Sequence, residues 1–147
     1  NIKYKINIIY TINFMFSNEN DIVKLELSEQ INENNPNIKL LFLTFKSDIQ
    51  NINQINESQI LINKYYKYSE ENNIKYDFVA DIKIIKYNNL KNFTIKDLKN
   101  LFLINKNNTE KCCNSITIII NNFWLRQFLN IFFSLYTISV PINFIKK

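Results

Sequence analysis

The carboxylates of this chain are its first candidates for chemistry. Glu70 and Glu71 are adjacent, and Asp77 and Asp81 lie four residues apart in a stretch of alternating apolar and polar residues. Positions i and i+4 of a β-strand point to the same side, so the two aspartates could bind a divalent cation or form an acid–base pair. No third ligand lies near them in the sequence, so we interpret them as parts of a solvated polar face.

Side-chain nucleophiles are the second candidates. Cys112 and Cys113 are adjacent, which matches neither a CxxC redox motif nor the spacing of metal ligands, and a disulfide between neighbours is strained. We therefore expect two reduced thiols. Ser58, Thr109 and Ser115 would each need a general base, and because the chain has no histidine that base would have to be lysine or aspartate.

Two missing residue types argue against most classes of enzyme. The 147 residues include no glycine and no histidine. Phosphate-binding loops use glycine at positive φ, whereas catalytic dyads and most transition-metal sites use imidazole. We therefore predict a protein that is not an enzyme and that has no cofactor and no metal.

The composition is typical of a genome rich in A+T, such as that of an organelle. Asparagine and isoleucine occur 27 times each, and 17 lysines accompany a single arginine, Arg126. The formal charge of +5 is spread along the chain without a run of four basic residues. This pattern suits contact with phosphates better than base-specific reading of DNA, for which arginine is preferred.

Lysines alternate with aromatic or apolar residues in two segments, NKYYKY at 63–68 and IKIIKYNNLKN at 82–92. In such segments lysines could contact RNA phosphates while exposed tyrosines stack on unpaired bases. The alternative is an ordinary amphipathic element whose lysines extend into solvent. The candidate RNA-contact residues are Lys64, Lys67, Lys83, Lys86 and Lys91.

Hydrophobic periodicity assigns these candidates to secondary structure. Period-two alternation predicts a strand over residues 2–16, and IKLLFLTFK at 38–46 predicts a central strand that is apolar on both faces. A polar loop over 47–57 and a helix over 58–71 should follow. Residues 74–84 predict a second long strand, or two strands with a break between them.

Residues 21–34 are compatible with two structures. Val23, Leu25 and Leu27 alternate as in a strand, whereas Val23, Leu27 and Ile31 have the spacing of one helix face. We favour the helix. It would connect the two flanking strands as parallel neighbours in one sheet, since a parallel pair needs a crossover.

The second half of the chain contains a clear helix start. Thr94 and Asp97 have the spacing of a capping box for a helix over residues 93–104. We expect a polar loop that holds the cysteines over 105–115, and a short strand over 116–120.

The last segment, 123–145, is apolar almost all round and precedes two lysines. Its uncharged part, 128–145, is just long enough to enter a bilayer, although its polar residues and Pro141 weaken that interpretation. The alternatives are packing on the protein's own core and docking on a neighbouring subunit, which we favour. The candidate docking residues are Phe123, Trp124, Phe128, Phe132, Phe133 and Tyr136.

The chain up to residue 104 resembles a small thioredoxin-like family. INIIYTINFMF, DIVKLELSEQINEN, the dipeptide Asn35-Pro36 and IKLLFLTF match the opening strand, helix, Asn-Pro dipeptide and second strand of that family. IKIIKYNNLKN and FTIKDLKNLF match its closing hairpin and amphipathic helix. The resemblance covers residues 6–104.

This family includes mitochondrial ribosomal proteins and a small accessory subunit of respiratory complex I. The resemblance implies an α+β fold with a thioredoxin-like β-α-β…β-β-α core over 1–104, followed by a C-terminal extension over 105–147 with a β-strand and an aromatic helix. It implies no redox chemistry, because the first strand ends without a CxxC motif.

We therefore expect a non-enzymatic structural subunit of a mitochondrial ribosome, in contact with rRNA and neighbouring proteins. The alternative is an accessory subunit of an inner-membrane respiratory complex, with the tail in or on the membrane. Both place the chain in mitochondria, in the matrix or at the inner-membrane face. A third expectation is an interaction protein from an A+T-rich genome that has no link to an organelle.

Overall fold

A mixed six-stranded β-sheet organises the computed structural model, which describes residues 14–32 and 34–147. With its three α-helices, this part of the chain is an α/β protein. The strands are β1 (Phe14–Glu19), β2 (Val23–Asn32), β3 (Asn35–Phe45), β4 (Lys75–Asp81), β5 (Cys113–Ile119) and β6 (Ile142–Ile145). The helices are α1 (Ile52–Asn72), α2 (Ile95–Cys112) and α3 (Phe123–Tyr136), with a 3-10 helix at Tyr87–Asn92.

The strands lie in the sheet in the order in which they occur in the chain. β1, β2 and β3 are antiparallel to one another in turn, whereas β3, β4, β5 and β6 are parallel. Each parallel pair is connected through one α-helix. All three crossovers move to the next strand in the same direction across the sheet. Because crossovers between parallel strands share the same handedness, the three helices lie on one face of the sheet.

One row of side chains across the sheet shows this face. The pairing register aligns Leu25, Leu43, Ala80, Ile118 and Phe144 on five successive strands, and the first four of them are buried. Helix α1 covers one end of the row, where the hydroxyl of its buried Tyr65 lies 3.2 Å from the Leu25 carbonyl oxygen. Helix α3 covers the other end, where the ring centroids of Phe133 and Phe144 are 6.2 Å apart.

The predicted helix over residues 21–34 is wrong, because this segment contributes strand β2. Leu25 is fully buried together with Val23 and Leu27, whereas the alternate residues Lys24 and Glu26 form an ion pair on the other face. As a strand, β2 also has its backbone N–H and C=O groups hydrogen-bonded on both sides, since it pairs with β1 and with β3. The first and second predicted strands are therefore not parallel neighbours, because β2 lies between them.

The thioredoxin-like order β-α-β at the start of the chain is not what the described residues form. Their order is three consecutive strands, followed by alternating helices and strands. The predicted strand over 2–16 lies mostly outside the described residues, and its described end belongs to β1, which continues to Glu19. The central strand predicted over 38–46 is confirmed as β3, which pairs on both sides.

Helix α1 begins earlier than predicted and takes up half of the expected loop. Asn51 caps it, since its Oδ1 accepts a hydrogen bond from the Gln54 amide at 3.2 Å. Asn73 ends it at a φ of 50°, in the left-handed region where asparagine is the usual substitute for glycine. A chain without glycine can therefore still end a helix in this way.

The hairpin expected over 82–92 does not form. β4 ends at Asp81, and a turn and the 3-10 helix follow. Asp48, in the loop after β3, holds this connection in place by accepting hydrogen bonds from the Lys86 amide at 3.1 Å and from the Asn89 side-chain amide. Asp48 therefore connects the loop between β3 and α1 to the segment between β4 and α2.

Helix α2 starts as predicted and ends later. Thr94 Oγ1 accepts from the Asp97 amide at 3.1 Å, and Asp97 Oδ2 accepts from the Thr94 amide at 3.3 Å, so the capping box is confirmed. The loop expected over 105–115 is wrong, because the helix continues to Cys112 and β5 starts at Cys113. Polar residues are retained in the helix because they contact its neighbours, as Thr109 does with Tyr66 at 3.1 Å.

The segment after residue 104 continues the sheet. The predicted boundary at 104 falls inside α2, the strand expected over 116–120 is confirmed within β5, and β6 pairs in parallel with β5. Residues 128–145 comprise most of α3, a left-handed residue at Thr137 and strand β6. Among the described residues, no helix is both long and apolar enough to cross a bilayer.

The capping box at Thr94 yields a stability prediction. Thr94→Ala should lower the free energy of unfolding by about 0.5–2 kcal/mol, because the Asp97 amide loses its acceptor. Thr94→Ser keeps the hydroxyl and should change stability much less. Urea unfolding of the three proteins measures the difference, and equal losses for both variants would contradict a role for the cap.

Candidate functional site

The carboxyl ends of the parallel strands are the natural place to look for a site in this fold. Ligands of open α/β sheets bind in the loops that follow these ends. We call the corresponding loops here, together with the first turn of α3, the carboxyl edge. Its basic residues are Lys46, Lys83, Lys86, Lys91, Arg126, Lys146 and Lys147.

Of the four basic residues near β3 and β4, Lys46 and Lys83 have acidic partners. Lys46 Nζ lies 3.2 Å from Glu19 Oε2 and 2.8 Å from the Asn20 carbonyl oxygen. Lys83 Nζ lies 3.2 Å from Asp81 Oδ2. These exposed or half-exposed pairs neutralise much of the positive charge at that end of the edge.

Two of the basic residues near β5 and β6, Arg126 and Lys146, line a cavity. Its volume is about 210 Å³, and it lies between the end of β5, the start of α3 and the end of β6. This is smaller than the range of about 300–1,000 Å³ that is usual for small-molecule sites. The lining residues are Ile120, Asn121, Asn122, Phe123, Arg126 and Lys146.

Among the residues that the structure describes, no aspartate or glutamate lines this cavity. Within the described residues, neither Arg126 nor Lys146 forms an ion pair. The guanidinium carbon of Arg126 lies 5.9 Å from the centroid of the Phe144 ring, a cation–π contact that leaves the N–H groups available at its edge. The cavity therefore has the donors and the charge to accept an anion.

Two lining asparagines shape the cavity through backbone contacts. Asn122 Oδ1 accepts from the Leu125 amide at 2.9 Å and so caps α3. Asn121 Oδ1 accepts from the Lys147 amide at 3.1 Å and so ties the chain after β6 to the chain after β5. Together these bonds fix the two segments that carry Arg126 and Lys146.

Two exposed aromatic residues stand at the rim. The side chains of Phe123 and Trp124 are 62% and 67% exposed, and their rings meet edge to face with centroids 5.4 Å apart. Phe123 also lines the cavity. The site thus combines two cations with two aromatic rings.

The five lysines predicted to contact RNA do not form one patch. Lys83 and Lys86 lie at the carboxyl edge, whereas Lys64 lies 12 residues after the start of α1, about 18 Å along the helix at 1.5 Å per residue. Lys67 is exposed and lies 3.7 Å from Glu71. The backbone of Lys91 belongs to the 3-10 helix, and its side chain is outside what the structure describes.

The six residues predicted to dock on a partner fall into two groups. Phe123 and Trp124 are the exposed pair at the cavity rim. Phe128, Phe132, Phe133 and Tyr136 are half-buried on the inner side of α3. Phe102 of α2 contacts three of them, with a centroid distance of 5.2 Å to both Phe132 and Tyr136, so the fold itself covers part of their surface.

The carboxylates do not form a metal site in the described part of the chain, where no group of three or more potential metal ligands occurs. We predicted that Asp77 belongs to a solvated polar face, and this is wrong, because Asp77 is buried. Its Oδ1 accepts hydrogen bonds from Ser115 Oγ at 2.6 Å and from Asn114 Nδ2 at 2.9 Å. Asp77 therefore joins β4 to β5, while Asp81 pairs with Lys83.

Both cysteines are free thiols, as predicted, and both are buried. Burial raises the pKa of Cys112 above its ordinary value and raises the pKa of Cys113 to about 12. Cys112 Sγ lies 3.7 Å from the Tyr66 carbonyl oxygen. At neutral pH both side chains are thiols and not thiolates, so they lack the reactive form of cysteine.

Comparisons with protein-family models, with curated proteins and with solved structures found no match for this chain.

Sequence reasoning did not identify the cavity. In the sequence, Arg126 stands out only as the single arginine, and the last two lysines only as the residues that follow an apolar segment. The signal that was available is the absence of Asp and Glu after Glu110, so that residues 111–147 carry four basic side chains and no acidic one. That pattern predicts a basic surface wherever this segment folds.

The buried thiol of Cys113 predicts an alkaline loss of stability. Its pKa rises from 9.0 in the unfolded chain to about 12 in the folded protein, so above pH 9 only the unfolded chain releases this proton. The contribution is complete below pH 9 and is lost as the pH rises towards 12. Cys113→Ala should reduce the slope of stability against pH by up to about 1.4 kcal/mol per pH unit in that window.

Urea unfolding between pH 7 and 11 measures this slope. Asn107→Ala, at an exposed position of α2, is the control and should keep the wild-type slope. Identical slopes for wild type and Cys113→Ala would show that the thiol titrates normally in the folded protein.

Proposed function

We propose that this protein is a non-enzymatic structural subunit of a ribonucleoprotein particle and that its carboxyl edge contacts RNA. The particle we propose is the mitochondrial ribosome, in keeping with the A+T-rich composition. The observation that carries the proposal is the group of basic residues at the ends of β5 and β6, in a segment without aspartate or glutamate.

The charge at this edge suits the RNA backbone better than a specific sequence. Lysine and arginine side chains neutralise phosphates and release counterions, whatever the bases are. Arg126 is the sole arginine of the chain, so repeated bidentate reading of base edges is not available. A subunit of this kind would be positioned by RNA without selecting it from other RNAs by itself.

The outer side of α3 supports a second contact within the same particle. Ile131 and Leu135 are 62% and 71% exposed, on the side of the helix that faces away from the sheet. Exposed apolar groups that lie close together favour protein contacts. We propose that this side of α3 packs on a neighbouring subunit.

This proposal does not depend on a thioredoxin-like fold. The resemblance required a helix over residues 21–34, and strand β2 occupies most of that segment. The second candidate, an accessory subunit of a respiratory complex, rests on the same exposed residues of α3. It leaves the basic cavity without a role, so we place it second.

Sedimentation of the native protein tests the proposal. In a mitochondrial lysate, the protein should travel with ribosomal particles and move to light fractions after ribonuclease treatment. Sedimentation with a detergent-solubilised membrane complex, insensitive to ribonuclease, would instead support the second candidate and overturn the first.

A charge-removal variant makes the test specific to the carboxyl edge. Replacing Arg126, Lys146 and Lys147 by glutamine should lower the fraction of protein bound to particles. The matched control replaces Lys64, Lys67 and Lys99, exposed lysines of α1 and α2, and should leave that fraction unchanged. A loss of binding in the control alone would place RNA contact on the helices, away from the carboxyl edge.

A further inference from the structure

We propose that the cavity between β5, α3 and β6 binds single-stranded RNA, with a phosphate between Arg126 and Lys146 and a base against Phe123 and Trp124. This inference rests on the proposed function and narrows it from RNA in general to an unpaired segment. It also assigns one side-chain cluster to the contact.

The phosphate part of the site follows from charge and placement. Arg126 and Lys146 line the same recess, from the first turn of α3 and from the chain just after β6. Residues 111–147 include no aspartate or glutamate that could neutralise them. The Phe144 ring lies 5.9 Å from the guanidinium carbon and so restricts where Arg126 can point. Charge-assisted hydrogen bonds from such donors to phosphate are the strong kind.

The base part of the site follows from the two exposed rings. Phe123 belongs to both parts, since it lines the recess and contacts the Trp124 ring. Proteins that bind single strands combine a positive groove with aromatic rings on which bases stack. In an RNA duplex the base faces are covered by their neighbours, so only an unpaired nucleotide can use these rings.

The combination favours RNA over other anionic partners. An acidic peptide would pair with the cations and leave the Phe123 and Trp124 rings without a matching group. A bilayer surface is broad and flat, whereas these cations line a recess of about 210 Å³. A single nucleotide has both a phosphate for the recess and a planar base for its rim.

The chain provides its own reporter for this site. Trp124 is the only tryptophan, so the intrinsic tryptophan fluorescence of the full-length protein comes entirely from the cavity rim. A short single-stranded oligoribonucleotide should quench this fluorescence in a saturable way. A blunt RNA duplex of the same length should quench it much less, because its bases cannot stack on the rings.

Substitutions separate the two parts of the site. Phe123→Ala removes a stacking ring and should weaken binding of the single strand roughly 5- to 150-fold. Arg126→Gln should also weaken binding and reduce its dependence on salt. Leu135→Ala and Lys64→Gln, which change exposed residues away from the cavity, should bind as wild type. For Trp124→Leu, binding is followed by the anisotropy of labelled RNA, and unfolding midpoints confirm that each variant is folded.

The site is overturned if the single strand causes no quenching, if duplex and single strand quench equally, or if only vesicles of anionic phospholipid change the fluorescence. It is also overturned if Lys64→Gln weakens binding as much as Arg126→Gln does. These outcomes are distinct from the sedimentation result. If the protein travels with ribosomal particles but does not bind single strands, only the proposed RNA site is overturned. If it binds single strands but sediments alone, only the proposed structural role is overturned.

Discussion

The pairing of strand β3 is the constraint on which the rest of the structure depends. β3 is antiparallel to β2 on one side and parallel to β4 on the other. From β3 onwards every connection is a crossover to the next strand, and each crossover needs a helix. The helices therefore share one face of the sheet, and all four carboxyl ends of the parallel strands share one edge. That edge brings the loops after β5 and β6 together, and with them Arg126 and Lys146.

The sequence predicted the elements whose local signals agree. β3 has a continuous apolar run, α2 has a capping box at Thr94, and both form as expected. β2 was missed because Val23 and Leu27 fit both a period of two and a helical period. Leu25, the residue that separates these possibilities, is fully buried because strands flank β2 on both sides and helix α1 covers this face of the sheet. The end of α2 was missed because its asparagine-rich last turns have no apolar period and are held by tertiary contacts, such as the one between Thr109 and Tyr66.

The candidate site was less predictable than the fold. Lysines in two alternating segments predicted contact with RNA, yet Lys64 and Lys83 lie on different parts of the molecule. The cavity residues come from segments about 20 positions apart in the chain, and the parallel pairing of β5 with β6 brings them together. No local pattern encodes that pairing. The uniform sign of the charges after Glu110 was the one signal that could have indicated a basic surface.

The absence of glycine limits the ways in which this site can bind an anion. A glycine-rich loop binds phosphate through backbone amides and holds it in one geometry. In residues 14–32 and 34–147, asparagine and threonine hold the two left-handed positions, Asn73 and Thr137, and without glycine the chain has to offer side chains to an anion. Such a site suits a flexible polyanion held mainly by charge better than a nucleotide held for catalysis. The proposed structural contact with RNA fits a site that binds through charged side chains.

The salt dependence of RNA binding tests this account most directly. The logarithm of the binding constant for a single strand falls linearly with the logarithm of salt concentration, with a slope of about −0.7 for each neutralised phosphate. We expect Arg126→Gln and Lys146→Gln each to make the slope shallower by about 0.7, and Lys64→Gln to leave it unchanged. Unchanged slopes for both cavity variants, or an equal change for Lys64→Gln, would contradict the claim that the carboxyl edge holds the RNA backbone.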